Sequence, residues 1–277
     1  MRTRFMTPVI VVAAILAFSS TTFAQRGGGG RGGGGRGGGA AAANATPSGP
    51  PKDPHNLQGI WGSGGPLGND PPPFTPEGER RYLANKPSYG PRAVPPALGN
   101  DPMGICDPNG YPRSMQLRPF EIIQIPGRIF QTFEWNYAWR EVWMDGRELP
   151  KDPTPRWMGY SVARWEGDTL VITSNGFDER TWLTQEGHPH SDQMTMEERY
   201  RRVREDLLEM QMTITDPVTY TKPWVGEKKG LRLAPPGANS EIRQELCVPS
   251  EEAMFNKGVR DPAGGLGGVQ VPPTTIK

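Results

Sequence analysis

The sequence has 277 residues, with 31 Lys+Arg against 30 Asp+Glu and a formal net charge of +1. So near-neutral a balance offers no electrostatic footprint for nucleic acid or an anionic membrane surface. Its 36 Gly and 31 Pro also argue against a bundle of long helices, because both residue types interrupt them.

Arg2 and Arg4 precede an apolar run from Val9 to Phe18, and "SSTTFA" places a small-residue cleavage position after Ala24. This pattern predicts a secretory signal peptide over residues 1–24, because the apolar run is too short for a stable transmembrane span. The expected location is therefore periplasmic or secreted. Cleavage leaves 253 residues, and the loss of Arg2 and Arg4 turns the net charge to −1. Residues 25–50, opening on "RGGGGRGGGGRGGG", read as a disordered linker, since glycine loses maximal backbone entropy and offers nothing to pack.

Residues 51–119 form a Pro/Gly-rich segment expected to wrap over a sheet, anchored by insertions such as Trp61, Phe74 and Tyr82. One short helix fits it, from about Glu77 to Asn85, started by Thr75 or Pro76. The chain holds two cysteines, Cys106 and Cys247. In an oxidising compartment they are expected to form a disulfide, with a pair of free thiols as the alternative.

From Phe120 the pattern becomes strand-like. "EIIQI" and "RIFQTFEWNY" flank Pro126-Gly127, and "WREVWM" runs into Asp145-Gly146, a dipeptide that suits a tight hairpin turn. Further hairpins are predicted around Glu166-Gly167-Asp168 and around Arg204-Glu205-Asp206. In the last, Met194, Met196, Glu198 and Tyr200 share one face and Leu208, Met210, Met212 and Ile214 continue the period of two. A continuous helix over 194–213 is the competing reading, because its residues have good helix propensity. Extended pieces are also expected around "YTKPWVGEKKGLRL" and "EIRQELCV". The fold class these elements predict is mainly β. Residues 120–250 would form an antiparallel lipocalin-like meander barrel of eight or nine strands, followed by a flexible tail over 251–277.

Chemistry concentrates in the connection "NGFDERTWLTQEGHPHSDQM", where polar side chains are carried on a loop between strands. If the backbone of "GHPHSD" is extended, His188, His190 and Asp192 share a face. One reading is a metal-free acid–base site: His190 as base, Asp192 orienting it, His188 assisting, and Arg180 or Arg199 holding negative charge. A polar turn is the structural alternative. H-x-H-x-D resembles a fragment of the metallo-β-lactamase signature, but Gln193 stands where its next histidine belongs, and only the distant His55 remains as a third imidazole. No metal or other cofactor is assigned. Ser191 lacks a nucleophile-elbow context, and Glu134, Glu141, Asp178 and Glu198 are candidate acids without a spacing that pairs them.

The aromatic residues suggest binding instead. Phe133, Trp135, Tyr137, Trp139 and Trp143 occupy odd positions through two predicted strands, and Trp182 lies in the polar loop. Trp135, Trp139, Trp143 and Trp182, with Arg180, are the candidate ligand contacts. The expected partner is a small, partly apolar molecule, with neither nucleic acid nor a macromolecular partner indicated.

The phrases "WEGDTLV", "GHPHSD", "NLQGIW" and "DPVTYTKPW" resemble a group of exported bacterial proteins of unknown function. That resemblance implies export and supplies no reaction, cofactor or substrate. Gly59 and Trp61 also resemble the glycine-x-tryptophan opening of lipocalin-like barrels. Three functional expectations remain open at this point: a small-molecule-binding protein; a metal-independent, His-dependent hydrolase, isomerase or lyase; and an envelope structural module.

Overall fold

Strand propensity after Phe120 produces a single curled sheet. The computed structural model describes residues 48–235, 237, 241–243 and 245–263. The chain divides into two units, Met1–Thr46 and Pro47–Lys277, and all described residues belong to the second. The expected signal peptide and nearly all of the expected linker lie outside them. Among the described residues, no helix is long and apolar enough to cross a membrane.

The elements run β1 (Gly59–Trp61), α1 (Pro76–Ala84), α2 (Arg113–Leu117), β2 (Phe120–Ile125), β3 (Arg128–Phe133), β4 (Trp139–Trp143), β5 (Tyr160–Glu166), β6 (Thr169–Asn175), β7 (Thr195–Arg204), β8 (Leu207–Thr215), β9 (Trp224–Val225), β10 (Lys229–Arg232) and α3 (Pro249–Phe255). A π turn, Asn256–Arg260, continues α3. Thr75 caps α1, its side chain accepting from Gly78 N at 3.0 Å, and Pro76 supplies a first position whose missing N–H costs nothing.

Strand order is β1-β2-β3-β4-β5-β6-β7-β8-β10, with β9 also on β8. The expected antiparallel lipocalin-like barrel is corrected in two respects. First, the sheet is mixed: β4 and β5 run parallel, pairing at Val142↔Ser161 and Trp143↔Val162. Asp145-Gly146 does turn the chain, with Gly146 at φ 83°, but no return strand follows. Pro150, Pro153 and Pro155 lack the N–H donors a ladder needs, so residues 144–159 cross back before β5 begins. Second, the sheet is an open, strongly curled half-barrel. Among the described residues, its outer strands approach through the isolated bridge Trp61↔Leu233, where Gly62 N donates to Arg232 O (2.8 Å) and Ala234 N to Ile60 O (2.7 Å). A single bridge is not a ladder.

The β7–β8 hairpin excludes the continuous helix over 194–213. Met196, Glu198, Tyr200 and Arg202 face inward from β7, opposite the inward Leu208, Met210, Met212 and Ile214 of β8. Among the described residues of "EIRQELCV", Glu245 forms a bridge to Trp135. The Cys106–Cys247 disulfide is present and ties the wrap to this late segment.

The wrap also fills the concave side. Tyr111 and Met115, from α2 and its approach, are each 1 % exposed and join a core with Trp61, Phe120, Phe133 and Tyr200. Close approach requires glycine at position 78: a Cβ there would overlap the Thr219 carbonyl, where α1 rests on the loop after β8. At the centre of the concave side lies a polar network. Glu198 accepts from Arg140 Nη2 (2.7 Å) and from the hydroxyls of Tyr111 and Tyr200, the latter at 2.8 Å. Burial raises both phenol pKa values, so the two tyrosines stay protonated donors.

Candidate functional site

The polar loop between β6 and β7 is held mainly through one buried carboxylate that carries no sequence motif. Asp216, 2 % exposed, accepts from Ser191 N (2.6 Å) and Ser191 Oγ (2.7 Å), and also from Val218 N and Thr219 N. Within the loop, Leu183 N donates to His188 O (2.8 Å), and Gly187 takes φ 82°, a conformation costly for other residues. This hairpin-like fold of 183–188 delivers the first histidine to an aromatic layer.

His188 is 6 % exposed and stacks on Tyr82 at 5.1 Å, with Trp224 edge-on at 5.2 Å and Phe74 beyond. Its Nδ1 lies 2.6 Å from Thr184 Oγ1, which also accepts from Glu186 N. With Thr184 donating to Nδ1 the His188 proton sits on Nε2, and with Thr184 accepting it sits on Nδ1. Burial, assisted by the positive charge of Arg92, lowers the pKa to about 4. At neutral pH the ring is therefore uncharged. It lines a cleft of about 370 Å³, within the usual range for small-molecule sites. Leu67, Leu117 and Trp224 contribute apolar surface, Asn69, Gln116 and Thr184 polar groups, and Asp70 and Glu186 negative charge; among the described residues no Lys or Arg lines it.

His190 is placed differently although it is only two residues away. It is fully buried, edge-on to Phe177, and borders a separate depression beside Arg81, Glu179 and Trp182. Its Nδ1 meets the Ser191 carbonyl at 3.0 Å, and Nε2 meets Thr181 Oγ1 at 2.7 Å. A carbonyl only accepts, so Nδ1 is protonated, while the single Thr181 hydroxyl proton faces both Nε2 and the Asp178 carbonyl at 3.0 Å. Both ring nitrogens are thus engaged internally, and burial lowers this pKa as well.

The remaining sequence candidates are dispersed. Asp192 is exposed and its carboxylate makes no hydrogen bond among the described residues, so the carboxylate organising this loop is Asp216. Arg180 is gripped by Asp178 (2.6 and 2.9 Å) and lies over Trp157. Arg199 projects from the outer face of β7 to Glu166 and Glu197. Trp182 is buried beneath Arg113, which is itself paired with Asp101. Trp135 joins the bridge to Glu245, Trp139 is 56 % exposed, and Trp143 lies between Arg128 and Arg147.

The expected aromatic row fails to form because the β3–β4 turn pairs odd with even positions, Thr132 with Trp139 and Arg128 with Trp143. Asn136 and Tyr137, at φ 53° and 46°, make that turn. Odd residues consequently face inward on β3 and outward on β4. Among the described residues, no three His, Cys, Asp or Glu side chains converge as a metal-binding group. Thr184 and Asp216 were not singled out by sequence reasoning, and Tyr82 was read only as an insertion anchoring the wrap; the spacing Thr184-x-x-x-His188 offered a local signal. No family model, curated protein or solved structure matches the chain.

Proposed function

We propose that this is an exported protein that binds a small, partly apolar molecule in the His188 cleft without transforming it. One observation carries the reading: the uncharged ring of His188 lines a cleft of about 370 Å³, held by Thr184 and flanked by Trp224. A neutral imidazole, donor or acceptor at Nε2 according to its tautomer, is suited to a polar group on an uncharged ring or carbonyl compound. Asp70 and Glu186, with no cation lining the cleft among the described residues, favour neutral or cationic ligands over anions. Turnover finds less support, since His190 is fully buried with both ring nitrogens against protein groups and Asp192 does not orient either imidazole. Export is supported by the Cys106–Cys247 bond, because disulfides persist in oxidising compartments.

The test is incubation of the purified protein with extracellular metabolites, followed by mass spectrometry of both retained and altered compounds. Neutral or cationic cyclic compounds should be retained unchanged, and Asp70→Lys should release the cationic ones. Preferential retention of anions at this cleft, or the appearance of products that His188→Gln abolishes, would refute the binding reading.

A further inference from the structure

Asp70 and Glu186 reach the His188 cleft from loops far apart in the chain, and each loop is held by contacts of its own. Trp224 Nε1 donates to Asn69 O (2.8 Å) and Asn69 Nδ2 donates to Val225 O (2.9 Å), which fixes the residue before Asp70 against β9. Glu186 N donates to Thr184 Oγ1 (3.2 Å), and the Glu186 side chain packs on the backbone of Gly90, where a Cβ would come within 3.1 Å of its Oε1. Gly90 takes φ 86°, so glycine both permits that turn and leaves room for the carboxylate.

Among the described residues neither carboxylate is paired with a Lys or Arg. Arg92 lies over Tyr82, donates to the carbonyls of Leu83 and Asn85, and does not line the cleft. Two negative charges therefore share a cavity of about 370 Å³ without a counter-charge in its lining. Acidic residues alone would mark no more than a solvated rim. Here the same lining holds His188, 6 % exposed, whose Nε2 meets no protein group among the described residues, since its one hydrogen bond is made through Nδ1. It also holds two aromatic surfaces, the buried Trp224 and the exposed Tyr89. An aromatic face attracts an organic cation as well as an apolar ring.

We propose that the ligand of this cleft is an organic ammonium with a single-ring apolar body. Asp70 and Glu186 supply the charge recognition, Trp224 and Tyr89 the aromatic surface, and the free nitrogen of His188 a further polar contact. The inference rests on the binding reading above and narrows it from neutral or cationic molecules to cations.

The test is calorimetric titration of the purified protein, at about pH 7, with benzylamine, an ammonium under those conditions, and with the neutral, near-isosteric benzyl alcohol. Benzylamine should bind one to one and at least about tenfold more tightly than the alcohol. Asp70→Asn and Glu186→Gln each remove one charge and keep the shape, so each should lower that preference by about threefold or more without changing the melting temperature. Equal affinity for the two probes, binding of neither, or a preference unchanged in either variant would overturn the proposal, while retention of neutral metabolites would leave the binding reading standing. That reading fails separately, if mass spectrometry of the same mixtures finds a probe converted to product.

Discussion

Acid should destabilise this protein through His188, and the size of the effect follows from its surroundings. Packed against Tyr82 and Trp224, with Arg92 nearby, the ring has a pKa lowered from 6.5 to about 4. Above about pH 6.5 it is neutral in both folded and unfolded chains and contributes no pH dependence. Between there and about pH 4 the unfolded chain takes a proton that the folded chain refuses, so stability falls by about 1.4 kcal/mol per pH unit. The full step is about 3 kcal/mol and levels off below the folded pKa. His190, whose pKa is also lowered by burial, adds a loss of the same sign. Urea unfolding of the natural chain and of His188→Gln, at about pH 7, 6, 5 and 4, isolates the first contribution because every other titrating group is common to both. The variant should be less stable at neutral pH, having lost the ring stack, and that deficit should shrink on acidification. A difference constant to within about 0.5 kcal/mol across the series, or a His188 ring titrating near its ordinary pKa by NMR, would refute the reasoning.

Asp216→Ala should cost about 3–5 kcal/mol, because it strands buried donors of Ser191, Val218 and Thr219 together; the loop's amide exchange should accelerate with it. Replacing both Cys106 and Cys247 by Ser should cost up to about 5 kcal/mol in chemical denaturation, the chain-entropy value for a sequence separation of 141 residues. Gly78→Ala should lower the melting temperature by loosening α1 from the Thr219 backbone. At least about 1 kcal/mol is expected from such overpacking, and an unchanged melt would show that α1 shifts freely.

Much of the β region was legible because strand signals are local. Gly167-Asp168 and Glu205-Asp206 marked two real hairpins, and the inward row Met196, Glu198 and Tyr200 followed from the period of two alone. Thr75-Pro76 similarly announced α1. Asp145-Gly146 misled for an equally physical reason: a turn dipeptide reverses the chain but does not guarantee a partner strand, and the prolines that follow prevented one. The aromatic row failed because its parity was carried across a turn whose pairing inverted it. At the cleft, His188 was visible as a candidate, but its setting as a neutral ring depends on Thr184, Tyr82, Trp224 and Arg92, which reach it from separate segments.

The sequence by itself determined that this chain would build a sheet from short hairpins, wrap it in Pro/Gly-rich polypeptide and carry two cysteines fit to be joined. Those properties depend on neighbouring residues: side-chain alternation, turn conformations and the lack of a proline N–H. Only the tertiary structure decided that β4 meets β5 in parallel, that the curl stays open, that the two nearby histidines serve different surfaces, and that Arg140 is buried with donors unused. Each of those outcomes depends on desolvation and on contacts between distant segments, for which spacing along the chain provides no measure.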